Sequence, residues 1–249
     1  MIIWLASYPK SGNTFVRAFL SAYYFSENGE FDFSQISKID QFPHEKYFKE
    51  KVNGINEASK QWIPIQKEIN KDRKIRFFKT HSFLGNYQGN QFTSPETTLG
   101  AIYIVRDPRN VLSSLKNHYS FDDNDALKMI KDKTRSLMSN NGSHASLTYI
   151  SSWAENYLSW FNNNQFRRLF VKYEDLISNK YETFRDIIVF TNTLMNRVEG
   201  VNKSKLQKAI ETTNFDVLKK REMSEAFDGS ETSFKSWRKF HSENKNLFF

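Results

Sequence analysis

The chain has 249 residues, 39% hydrophobic and 16% aromatic, which suits one sizeable packed α/β domain and excludes a disordered polymer. Its 36 Lys and Arg against 28 Asp and Glu leave a formal charge of +8, a balance that favours anionic partners such as nucleotides, nucleic acid, or sulfated or phosphorylated ligands. The absence of cysteine excludes disulfides, thiol nucleophiles and thiolate metal sites.

In chain order, residues 2–7 read as a buried strand, followed by a glycine-containing loop and a helix over residues 13–25. That helix carries Phe15, Val16, Phe19, Leu20 and Tyr23 at helical spacing. Residues 31–56 are polar, aromatic and assign to no element. Residues 57–70 suit a helix that Pro64 would break or kink. Residues 75–79 form a second expected strand, ending at Thr80-His81, and 101–105 a third. Pro108 then precedes a helix over 111–119. Helices are expected over 125–137 and 147–161, separated by a loop at Asn140-Asn141-Gly142-Ser143. A fourth strand is expected over 168–173, then helices over 181–192 and 203–213. Strands alternating with helices imply an α/β fold with a central parallel sheet covered on both faces.

The opening residues Met1-Ile2-Ile3-Trp4-Leu5-Ala6 lack a basic leader, and their apolar run is too short for a signal peptide or a membrane span. No other stretch reaches that length. The expectation is a cytoplasmic protein with no membrane span.

In an open parallel sheet, ligands gather beyond the carboxyl ends of the strands. Here those ends carry polar or basic residues: Lys10, Lys79-Thr80-His81, Arg106 and Tyr173-Glu174-Asp175. The first loop, Lys10-Ser11-Gly12-Asn13-Thr14, feeds a helix start and can present backbone N–H groups to an anion. It reads either as an anion site or as an ordinary turn with a helix cap. It is not a Walker A loop, because its lysine precedes the glycine. A guanidinium at Arg106 and a hydroxyl at Ser114 suit a phosphate, and also suit a surface arginine and a helical serine. His81 is of a type that accepts a proton near neutral pH.

Tyr8-Pro9-Lys10-Ser11-Gly12-Asn13-Thr14-Phe15 resembles the 5′-phosphosulfate loop of the sulfotransferases that use 3′-phosphoadenosine 5′-phosphosulfate (PAPS), typically Tyr-Pro-Lys-Ser-Gly-Thr-Thr-Trp. Asn13 and Phe15 are the two departures. Further segments resemble that family in the same order. Lys79-Thr80-His81 matches its Lys-Thr-His, whose histidine is the catalytic base. Arg106 and Ser114, eight residues apart, match its 3′-phosphate segment. Tyr173-Glu174-Asp175 and Thr213-Asn214-Phe215 resemble its adenine-side segments, where Phe15 and Phe215 are placed either to stack on the purine or to fill the core. The family's Arg-Lys-Gly is missing between Phe227-Asp228-Gly229 and Ser236-Trp237-Arg238, which leaves Lys235 and Arg238 as the nearest basic candidates for the 3′-phosphate.

The resemblance spans residue 2 to about 240 and implies a single domain over residues 1–249 with a P-loop-NTPase-like sulfotransferase fold. It also implies in-line transfer from PAPS, leaving adenosine 3′,5′-bisphosphate, without a metal. His81, Lys10 and Lys79 would be catalytic. Lys10, Ser11, Gly12, Asn13, Thr14, Phe15, Arg106, Ser114, Tyr173, Thr213, Phe215, Lys235 and Arg238 would bind the nucleotide. The acceptor would be a small molecule or a glycan, and neither its identity nor the oligomeric state is legible. Two other readings stay open. A P-loop-type small-molecule kinase would need the missing Walker A lysine. A nucleic-acid or anion-binding protein would need its basic residues clustered, whereas here they are dispersed, so nucleic acid is not the expected partner.

Overall fold

A computed structural model describes residues 1–140, 145–214, 217 and 218. In chain order the elements are β1 (Ile2–Ser7), α1 (Asn13–Phe25), β2 (Asp40–Gln41), α2 (Ile55–Ile69), β3 (Arg76–Thr80), the short pair β4 (Asn86–Tyr87) and β5 (Asn90–Gln91), and β6 (Thr98–Val105). There follow α3 (Pro108–Tyr119), α4 (Asp123–Lys131), β7 (Ser136–Asn140), β8 (Ala145–Tyr149), α5 (Trp153–Phe161), β9 (Arg167–Lys172), α6 (Tyr173–Ser178), α7 (Lys180–Leu194) and α8 (Lys203–Thr212). Two 3₁₀ turns, Phe33–Lys38 and Glu45–Tyr47, occupy the segment that the sequence left unassigned.

Five strands form one parallel sheet in the order β2-β3-β1-β6-β9. The alternation of strands and helices therefore predicts the architecture correctly. β1 is buried at every residue, and its side chains divide between the two faces. Ile3 and Leu5 join a core with Phe19 of α1, Phe184 of α7 and Leu206 of α8. Ile2, Trp4 and Ala6 join a second core with Trp62 of α2 and Trp160 of α5. A run apolar at every position from Ile2 to Ala6 is what a strand covered on both faces requires.

The chain leaves β1 for β3 on one side and later returns to β6 on the other. Such a reversal of strand order opens a crevice at the strands' carboxyl ends. A third apolar cluster, with Tyr8, Val111, Leu115, Met129 and Ile150, fastens the end of β1 to α3 and α4.

Three expectations need correction. Residues 125–137 and 147–161 are not continuous helices. α4 stops at Lys131, where Asp132 turns the backbone extended and its carboxylate takes the Thr134 N–H. β7 and β8 then pair antiparallel. α5 begins only at Trp153, because Ser152 caps it by accepting the Glu155 N–H. Pro64 does not end α2: both Pro64 and Lys60, whose carbonyl loses its helical partner, face solvent, where water can satisfy it.

No helix among the described residues is long and apolar enough to cross a membrane.

Candidate active site

Strand register alone gathers the polar groups. Thr80 lies opposite Ala6, Ser7 opposite Ile104, and Val105 opposite Lys172. His81, the loop from Tyr8 to Gly12, Arg106 and Tyr173 each follow immediately on one of these four neighbouring strands, so they meet along one rim of the sheet.

The loop after β1 is tightly held. Lys10 and Gly12 both have positive φ, 66° and 96°. Gly12 stands at the start of α1, and no side chain among the described residues caps that helix. Ser11 is buried, and its hydroxyl has no hydrogen-bond partner among the described residues. A buried hydroxyl left unpaired beside an uncapped helix start is a polar cost that an anionic ligand would repay. Tyr8 anchors the loop from behind, its hydroxyl donating to the Met129 carbonyl at 3.2 Å.

Arg106 clasps the loop from the side. Its Nη1 donates to the Lys10 carbonyl at 3.0 Å, and its guanidinium stacks 4.2 Å from the centre of the Tyr173 ring. Its buried Nε has no partner among the described residues. Burial, and secondarily the charge of Arg106, lower the Lys10 ammonium from its ordinary value to about 8. Two cations crowded with no counter-ion among the described residues fit an anionic group between them.

On the other side, His81 Nδ1 lies 2.7 Å from the Ser7 carbonyl and 3.2 Å from the Ser7 hydroxyl. Burial, then the charge of Lys79, lowers its pKa to about 3, against the opposing effect of the Ser7 hydrogen bond. The imidazole is therefore neutral at physiological pH. Lys79 is buried and donates to Gln41 Oε1 at 3.2 Å, which ties β3 to the edge strand β2.

The remaining expected residues divide by what they touch. Thr14 and Ser114 are half-buried, and Ser114 lies within α3, about one turn and a half beyond its start. Asn13 is buried and points back into the fold: its Nδ2 donates to the Leu5 carbonyl at 3.0 Å and to Ser7 Oγ at 3.2 Å. Phe15 packs edge-on against Phe184 and flanks the core. Thr213 is fully buried and donates to the Ala209 carbonyl at 2.6 Å. Phe215, Lys235 and Arg238 lie outside the described residues.

Sequence reasoning singles out Glu174 only within the segment after the fourth strand, and misses Asn156 and His118. Asn156 of α5 donates to the His81 carbonyl at 3.0 Å and to the Ile150 carbonyl at 2.8 Å, and accepts the Tyr103 hydroxyl. A polar residue set among Trp153, Tyr157 and Trp160 was the available signal. Glu174 accepts the Asp107 N–H at 3.1 Å, joining the ends of β6 and β9. His118 lies near enough to Lys10 that this charge, after burial, helps lower its pKa to about 4.

Two solved structures of a retinol dehydratase share the fold. One, in complex with androsterone and the inactive cofactor PAP, aligns with a TM-score of 0.53 over 97% of this chain and 78% of its own, at 14% identity. The other, in complex with retinol and PAP, aligns at 0.54 over 98% and 80%, also at 14% identity. No curated protein sequence matches. The sulfotransferase domain family matches residues 2–247. With nearly its whole length matched and this rim at the strand ends, the chain belongs to the sulfotransferase domain family and is an enzyme of sulfuryl transfer.

Proposed function

We propose that this chain, acting as one domain, moves the sulfuryl group of PAPS to a hydroxyl or amine of a small-molecule or glycan acceptor, with His81 as general base. The observation that carries the reading is the imidazole of His81 on the same rim as a helix-start loop in which two cations, Lys10 and Arg106, have no acidic partner among the described residues. PAP in both solved structures of similar fold agrees with this choice of co-substrate.

The loop residues fit such a ligand. The uncapped start of α1 and the unpaired Ser11 hydroxyl suit the 5′-phosphosulfate, and Arg106 with Ser114 suits the 3′-phosphate. The co-substrate, when bound, supplies an electrophilic sulfur and a phosphate leaving group. His81 takes the acceptor's proton as the acceptor oxygen or nitrogen attacks. Lys10 stabilises the negative charge that grows on the departing phosphate, and Lys79 supports the same rim.

Calorimetric titration with adenosine 3′,5′-bisphosphate, beside ATP with Mg²⁺, tests the nucleotide half. Binding of the bisphosphate and not of ATP is expected. The reverse preference would point to a kinase and sink the reading. An acceptor screen with labelled PAPS then identifies the second substrate.

A further inference from the structure

Two tautomers of neutral His81 are available, and only one leaves Nε2 bare to accept a proton. The contact at Ser7 decides between them. A carbonyl oxygen cannot donate, so the 2.7 Å approach of Nδ1 to the Ser7 carbonyl requires the proton on Nδ1. Nε2 is then the basic nitrogen.

The same reasoning orients Asn13. Its contact with the Leu5 carbonyl has to be made by the amide nitrogen, which fixes Nδ2 toward β1 and directs its second hydrogen to Ser7 Oγ. Ser7 and Asn13 are both buried, so water does not substitute for these bonds. Asn13 Oδ1 is buried and has no partner among the described residues, an uncompensated cost that gains nothing for stability. A side chain of α1 carrying that cost while bonded to β1 both at Leu5 and at Ser7, the residue that meets His81, is placed for orientation. The backbone of the histidine is held independently, by Asn156 on its carbonyl.

We propose that Asn13 is a positioning residue for the base: through Ser7 it holds the strand end so that the Ser7 carbonyl keeps His81 in the Nδ1–H form, with Nε2 facing the transfer site. This rests on the reading of His81 as general base, yet its test reads the ring directly.

The experiment is long-range ¹H–¹⁵N correlation of the histidine rings in the full chain at neutral pH, with His81 assigned by loss of its signals in His81→Gln. The wild-type ring should show a protonated Nδ1 and a bare Nε2. Asn13→Ala should give a mixture of tautomers and lower kcat about tenfold, a fraction of the roughly 10²–10⁴ that a general base supplies, with bisphosphate affinity nearly unchanged. Ser7→Ala keeps the carbonyl and loses the hydroxyl, so its shift should be in the same direction and smaller. A wild-type ring carrying its proton on Nε2 would overturn the proposal. So would an unchanged tautomer ratio in both variants. Should Asn13→Ala not fold, the wild-type spectrum and Ser7→Ala decide alone. A protein with the expected tautomer and no sulfuryl transfer would sink the functional reading and leave the positioning role standing.

Discussion

The Tyr173 ring lies directly against the backbone of Gly12. A Cβ built on Gly12 would stand 2.8 Å from Tyr173 Cε2 and closer still to Cδ2. Residue 12 also has φ of 96°, a conformation that side-chain-bearing residues rarely adopt. Gly12→Ala thus meets two obstacles, a clash and about 1–2 kcal/mol of backbone strain. Bisphosphate affinity should fall about five- to thirtyfold from that strain, and further from the clash. Adding Tyr173→Leu should recover the part due to the clash and leave the strain, and calorimetry on the four variants of the cycle separates the two. An alanine variant that binds as wild type would show that the loop is free to rearrange.

Binding should be sensitive to alkaline pH. The Lys10 ammonium is lowered to about 8 in the free protein, and an anion favours its charged form. Affinity for the bisphosphate should therefore hold below pH 8 and decline as pH rises through it. Lys10→Ala should bind weakly at every pH and lose this dependence. Because a desolvated cation costs the folded state, the variant's melting temperature without ligand should not drop.

His81→Ala should lower kcat by roughly 10²–10⁴ and leave bisphosphate binding intact. The free-enzyme pKa of His81 is shifted down to about 3, so the neutral base persists as pH falls. The acid limb of kcat/KM for PAPS should lie well below the ordinary histidine value of about 6.5. A limb at or above that value would contradict the assignment of His81 as the titrating base.

Ser152→Ala removes the cap of α5 and should cost about 1 kcal/mol in denaturant unfolding. Since α5 carries Asn156, and Asn156 holds the His81 carbonyl, kcat should fall modestly while bisphosphate affinity stays.

The parts of this protein legible in its sequence are those fixed by burial. β1 and the second half of β6 are uninterrupted apolar runs because helices cover both their faces, and such runs mark themselves. The order of basic residues after those strands was equally visible, since parallel register turns sequence position into a common rim. β2 was not visible: it is two polar residues long, and only pairing with β3 makes it a strand. The start of β7 and the end of β8 were absorbed into the flanking helices because such short segments carry no decisive period. Asn156, and the contact of Ser7 with His81, escaped notice because no local pattern announces a bond to a residue far along the chain.

The clasp on the loop has a consequence for how little of this protein can be cut away. Residues 2–25 contain the strand, the turn and the helix, the whole local apparatus for greeting an anion. Yet the turn's carbonyl at Lys10 is gripped by Arg106, and that guanidinium rests on Tyr173. A peptide of the first strand and helix would keep every residue of the loop and none of its tension members. The pocket is a keystone joint, completed only when the last strand of the sheet has been laid.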